Sequence, residues 1–182
     1  MSRPGAKNMR TPLRILVAED ELGDVYLIQR AFARAGVNVP VHFARNGQEV
    51  LDYLEGNPPF ENPVEFPLPN LLLLDLNLPR LSGFEVLTWV RGKPAFSQMP
   101  VVVLSSSDRR EEISKAYQLG ANSYVIKPTE PTELISVVER IQNYWLGINA
   151  PPARALVGPA VSRLAGLELP EDKGSGDATP GL

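Results

Sequence analysis

The stretch Leu71-Leu-Leu-Leu-Asp75-Leu-Asn-Leu-Pro79 decides the fold. Four consecutive leucines fall far short of the roughly 20 apolar residues that a membrane helix needs. They also lack the in-out alternation of a half-exposed strand. The run therefore reads as a strand buried on both faces, central in a parallel sheet, and it stops on a carboxylate, Asp75. The segment before it, Gly56 to Pro69, holds Pro58, Pro59, Pro63, Pro67 and Pro69 and reads as a loop, since proline removes backbone donors and restricts its predecessor.

Outward from this strand the same unit recurs. Leu13-Arg-Ile-Leu-Val-Ala18, Val41-His-Phe-Ala44, Val101-Val-Val-Leu104 and Ser123-Tyr-Val-Ile126 read as further strands. Helical patterns follow each of the five. The first carries Leu27, Ile28, Ala31 and Phe32, with Gly36 as its stop; the second leaves Asn46-Gly47 and carries Val50, Leu51 and Leu54. Gly83 opens a third with Phe84, Leu87 and Val90, and a fourth carries Ile113, Ala116 and Tyr117 up to Gly120. The last shows one apolar stripe of Leu134, Val137, Val138, Ile141 and Trp145. Five β-α units with near-continuous apolar strands predict an α/β fold, a doubly wound five-stranded parallel sheet with helices on both faces. From about Pro151 the pattern fails: prolines recur, the end is rich in Gly and Ser, and only Ala155 to Leu169 is apolar enough for a short helix.

Composition narrows the chemistry. The 182 residues include no Cys and one His, which excludes disulfides, thiolate zinc sites, cysteine nucleophiles and multi-histidine metal clusters. With 21 acidic and 18 basic residues the net charge is −3, so no basic field or DNA-reading motif points to nucleic acid. The N-terminus has no apolar stretch after its basic residues, and no run is long enough for a membrane span, so a cytoplasmic protein is expected. His42, on the short second strand, reads as a structural or surface residue.

In an open parallel sheet, ligands bind at the carboxyl ends of the strands. Here those ends carry Glu19-Asp20-Glu21, Asp75, Ser105-Ser106-Ser107 and Lys127-Pro128. Each has an ordinary explanation: acids cap helices and complement their dipoles, serines make turns, and a lysine is solvated. Together they describe something else. Carboxylates gathered at one edge repel one another unless a cation neutralises them, and an all-oxygen donor set suits Mg²⁺. A lysine and a serine hydroxyl beside them suit phosphate oxygens, and a carboxylate so placed can itself be phosphorylated.

Four segments in this order, Ile15-Leu-Val-Ala-Glu-Asp20, Leu73-Leu-Asp-Leu-Asn-Leu-Pro79 with Gly83, Pro100-Val-Val-Val-Leu-Ser-Ser106 and Tyr124-Val-Ile-Lys-Pro128, resemble the receiver domain of bacterial two-component response regulators. The resemblance runs from about Leu13 to Leu146 and implies the flavodoxin-like strand order 2-1-3-4-5. It implies that Asp75 is the phosphoacceptor, and that Glu19, Asp20, Asp75 and the backbone carbonyl of Asn77 hold Mg²⁺ or Mn²⁺. It also implies that Ser105, Ser106 and Lys127 contact the phosphoryl group, that Lys127–Pro128 is cis, and that Ser105 and Tyr124 form the switch. Two positions depart from the family pattern: Ser105 stands where Thr is more usual, and Ser82 where Asp is common before Gly83.

Glu19 in place of Asp, Asp20-x-x-x-Asp24, the long loop before Asp75, Gly120-Ala-Asn-Ser-Tyr124 and Tyr144-Trp-Leu-Gly147 resemble the small regulators paired with bacterial phytochrome kinases. That likeness implies a histidine kinase of phytochrome type as partner and a homodimer through the last helix and C-terminal arm. Tyr144 and Trp145 suit such a contact, or packing against the sheet. The expected organisation is an N-terminal arm over 1–12, a receiver over 13–148 and a Pro/Gly-rich extension over 149–182, partly disordered and without an output domain. The expected function is a signalling protein, not an enzyme beyond slow self-catalysed phosphorylation and dephosphorylation. An aspartyl-phosphate phosphatase of haloacid-dehalogenase type would need an acid at Asn77, and a pseudo-receiver would lack the filled polar positions.

Overall fold

The computed structural model describes residues 13–34 and 39–150. The arm over 1–12, the helix stop at Gly36 and the apolar segment Ala155–Leu169 lie outside the described residues. Five strands, β1 (Ile15–Ala18), β2 (Val41–Ala44), β3 (Leu71–Leu74), β4 (Val101–Ser105) and β5 (Ser123–Ile126), alternate with five helices. These are α1 (Leu22–Arg34), α2 (Gly47–Glu55), α3 (Gly83–Gly92), α4 (Arg110–Gln118) and α5 (Pro131–Gln142), the last continued by a π-helical turn over Asn143–Ile148. All strand pairs are parallel, in the order β2-β1-β3-β4-β5. The leucine run is indeed the central strand.

Successive residues of a strand face opposite sides of the sheet. Leu16, Leu72, Leu74, Val101 and Val103 pack with Val50, Leu54, Val86, Leu87 and Val90 from α2 and α3, and with Ala116 from α4. Ile15, Val17, Leu71, Leu73, Val102 and Leu104 pack on the other side with Ile28 and Phe32 of α1 and Leu134, Val138 and Ile141 of α5. The proline-rich loop is braced, although it has no regular structure. Tyr53 is buried and its hydroxyl donates to the carbonyl of Pro67 at 2.8 Å. Its ring, with those of His42, Phe60 and Phe66, forms a cluster with centroid separations of 5.2–6.1 Å.

Three expectations are corrected. The first strand begins at Ile15 rather than Leu13, and Arg14 instead uses its backbone N–H to bond Asn70 Oδ1. On α3 the fully buried positions include Val86, whereas Phe84 is only partly covered, beneath the Lys115 ammonium at 4.2 Å. On α4 only Ala116 is buried and Tyr117 is half exposed, because this short helix is mostly charged and polar and only its one small apolar residue is fully covered. The N-termini of α2 and α3 follow ordinary capping chemistry. Asn46 caps α2, and Ser82 caps α3 in a reciprocal box with Glu85.

Candidate functional site

Strands β1 and β3 run side by side in register, Ala18 beside Leu74, so the residues just past them, Glu19 and Asp75, meet at the same edge. The Asp75 N–H donates to the Ala18 carbonyl at 3.0 Å and the Glu19 N–H to that of Ala44 at 2.9 Å. Beyond Asp75 the chain turns sharply into α3. A side chain at Gly83 would lie 2.2 Å from the Asp75 carbonyl oxygen, so only glycine lets the helix start this close. The other wall comes from β4 and β5, where the Lys127 N–H donates to the carbonyl of Ser105 at 2.8 Å.

Lys127 reaches from β5 across this edge. Its Nζ donates to Glu19 Oε2, to Asp24 Oδ2 at 2.9 Å and to Asp75 Oδ2 at 2.8 Å. Glu19 and Asp75 are buried, and the lysine side chain is 8% exposed. Burial alone would draw the ammonium pKa down, but the charges of Asp75 and Glu19 outweigh it and hold it above the ordinary 10.5. Burial pushes the Glu19 carboxyl up to about 7; Lys127 offsets this in part, and Asp75 and Asp24 push the same way. The remaining Glu19 oxygen accepts from the Glu21 N–H at 3.2 Å, and Asp75 Oδ1 accepts from the Asn77 N–H at 3.2 Å.

Glu19, Asp20 and Asp75 offer carboxylate oxygens that lie within 4.8 Å of one another. With Asp24 they set four carboxylates about one ammonium. Such a donor set, all hard oxygen and short of positive charge, fits a divalent cation.

The serines are not equivalent. Ser105 is buried at the end of β4, its hydroxyl accepting from the Ser107 N–H at 3.4 Å, whereas Ser106 is exposed. Asn77 is exposed as well. Tyr124 is partly buried against the α2–α3 side, and its hydroxyl donates to the Ser107 carbonyl at 2.9 Å. Burial raises its pKa. Its backbone N–H donates to the hydroxyl of Tyr117 at 3.2 Å. The bond before Pro128 is trans, contrary to expectation; among the described residues the cis bond is Pro58–Pro59. Proline admits either isomer within about 1 kcal/mol, so its presence alone does not fix which forms. Asp24 is the site residue that strand-end reading missed. It lies in the first turn of α1, four residues beyond Asp20, and the Asp20-x-x-x-Asp24 pattern was its signal.

The family model of the response regulator receiver domain matches residues 15–139. The chain belongs to this family. The probable methanogenesis regulatory protein FilR2 of Methanothrix harundinacea is 39% identical over 147 residues, spanning 79% of this chain and 90% of that protein. The crystal structure of the phosphorylated cyanobacterial phytochrome response regulator RcpA is 35% identical, with a TM-score of 0.73 over 79% of this chain and all of that one (100%). The Mn²⁺-bound form of response regulator Rcp1, a protein of Synechocystis, is 32% identical with a TM-score of 0.72, over 78% and 100% of the two chains. Receiver domains are signalling modules that take phosphoryl groups from histidine kinases. No described helix of this receiver is long and apolar enough to cross a membrane.

Proposed function

We propose that this receiver accepts a phosphoryl group on Asp75 from a kinase phosphohistidine and signals through a protein-binding surface that changes with phosphorylation. The observation that carries the reading is the Lys127 ammonium held on the Asp75 carboxylate beside a group of hard oxygen ligands. Asp75 attacks phosphorus in line; the P–N bond breaks, and its electron pair stays with the leaving imidazole. Glu19, Asp20, Asp75 and the Asn77 carbonyl would hold Mg²⁺ or Mn²⁺. When bound, that ion offsets the charge on the phosphoryl oxygens.

Lys127 remains to pair with the new phosphoryl oxygens. The Ser105 hydroxyl lies at the neighbouring strand end and donates to them, with Ser106 completing the wall. Drawing the Ser105–Ser107 loop toward Asp75 moves the carbonyl that Tyr124 holds, so the electrostatic change at the edge is passed to the surface of α4, β5 and α5. The kinase is of phytochrome type, a reading supported by the likeness to RcpA. A cytoplasmic setting, a homodimer through α5 and the C-terminal arm, and the division into 1–12, 13–148 and 149–182 belong to the same proposal.

Incubation with Mg²⁺ and acetyl phosphate should add one phosphate by intact mass, and Asp75→Asn should abolish it. Undiminished phosphorylation of that variant would overturn the assignment.

A further inference from the structure

An ammonium has three N–H donors. In this receiver all three of Lys127 are committed, one each to Glu19, Asp24 and Asp75. The three acceptors differ in what else they do. Asp75 and Glu19 belong to the group whose oxygens lie within 4.8 Å of one another, whereas Asp24 stands outside it. Asp24 projects from the first turn of α1, its side chain about one-third exposed (32%), and its ion pair is with Lys127.

We propose that Asp24 is a positioning residue for phosphorylation: it tethers the Lys127 ammonium on the α1 side of the edge and competes with an incoming phosphoryl group for it. The proposal rests on Asp75 being the phosphoacceptor. When Asp75 becomes an acyl phosphate, one of its oxygens joins phosphorus and new anionic oxygens appear beside Lys127. To bond them the ammonium must give up a present partner. Glu19 is buried and shares the metal-binding group, so Asp24, more exposed and outside that group, is the partner it releases. The carboxylate also adds negative charge where an anionic donor must approach. Both effects act in one direction: Asp24 restrains phosphorylation and lowers the phosphorylated fraction at a given donor concentration.

The test uses the full chain with Asp24→Asn, which keeps the side-chain shape and removes the charge, and Asp24→Glu, which keeps the charge. In the cation-free protein, the ¹H–¹⁵N signal of the Lys127 ammonium should exchange with water slowly in the wild type and several-fold faster in Asp24→Asn. With Mg²⁺ and acetyl phosphate, Asp24→Asn should be phosphorylated about fivefold faster, the weight of one ion pair of about 1 kcal/mol. Asp24→Glu should stay within about twofold of wild type on the same scale. Mg²⁺ affinity of Asp24→Asn, by titration without donor, should shift far less than the phosphorylation rate. Unchanged ammonium exchange, or phosphorylation unchanged or slowed while Mg²⁺ affinity holds, would overturn the proposal. Failure of the wild type to be phosphorylated would instead strike the phosphoacceptor reading, and the ammonium exchange would still decide whether Asp24 is the tether.

Discussion

Two regions of this receiver bury polar atoms, and they do so on opposite terms. Beneath the proline-rich loop, the Tyr53 hydroxyl has one backbone acceptor, Pro67, and the rings around it carry no formal charge. At the carboxyl edge of the sheet, Lys127 is shared among Glu19, Asp24 and Asp75, with Asp20 close by. The first arrangement is complete by itself and stabilises the fold. The second gathers several carboxylates at one ammonium and is short of positive charge. A region whose electrostatics improve when something binds is a site; a region already satisfied is scaffold.

The comparison breaks most visibly at Lys127. Lys127→Gln leaves buried Glu19 and Asp75 without their shared cation, and removing one partner of a buried ion pair costs about 3 kcal/mol or more. Urea unfolding at pH 8 without divalent cations should show that loss, and Mg²⁺ should restore more stability to the variant than it adds to the wild type. If Mg²⁺ stabilised the two equally, the edge would not be short of positive charge in the way argued. The opposite outcome belongs to the loop. Phe66→Ala removes a partly buried ring from the aromatic cluster, at about 2 kcal/mol, below the range for fully buried phenylalanines. It should leave Mg²⁺ affinity and phosphorylation by acetyl phosphate unchanged, because no ring of that cluster touches the carboxyl edge. A matching fall in Mg²⁺ affinity would mean that scaffold and site are coupled.

How legible each region was follows from the forces that build it. Strands such as Leu71–Leu74 and Val101–Ser105 are buried on both faces, so hydrophobicity alone marks them. A doubly wound sheet then follows from parallel connections, the strand order comes with the family resemblance, and the acids at strand ends follow from topology. Contacts set by tertiary geometry were harder to see. Asp24 enters the site because α1 turns its first turn toward Lys127, and spacing from Asp20 hints at that without naming the partner. His42 reads as a structural or surface residue, and it does pack against Tyr53 and Phe66, partners that nothing in its neighbours along the chain names. The isomer at Pro128 and the exposure of Tyr117 also depend on what surrounds them, which a linear pattern does not carry.

The smallest effect sharpens the comparison through pH. The buried Tyr53 phenol is pushed from its ordinary 10.0 up to about 12, because burial disfavours the phenolate. In the unfolded chain this tyrosine loses its proton near 10, and in the folded protein it keeps the proton until about 12. Its contribution is therefore fully present below pH 10 and is lost as pH rises from 10 toward 12. Tyr53→Phe keeps the ring but leaves the Pro67 carbonyl without its donor, at about 1 kcal/mol at pH 8. The variant has no phenol to titrate, so the gap in urea midpoint between it and the wild type should narrow above pH 8 and close by about pH 11. Parallel midpoints across that range would mean that the hydroxyl is not held protonated by burial. The loop would then hold an ionisable group open to solvent and would not be satisfied by itself.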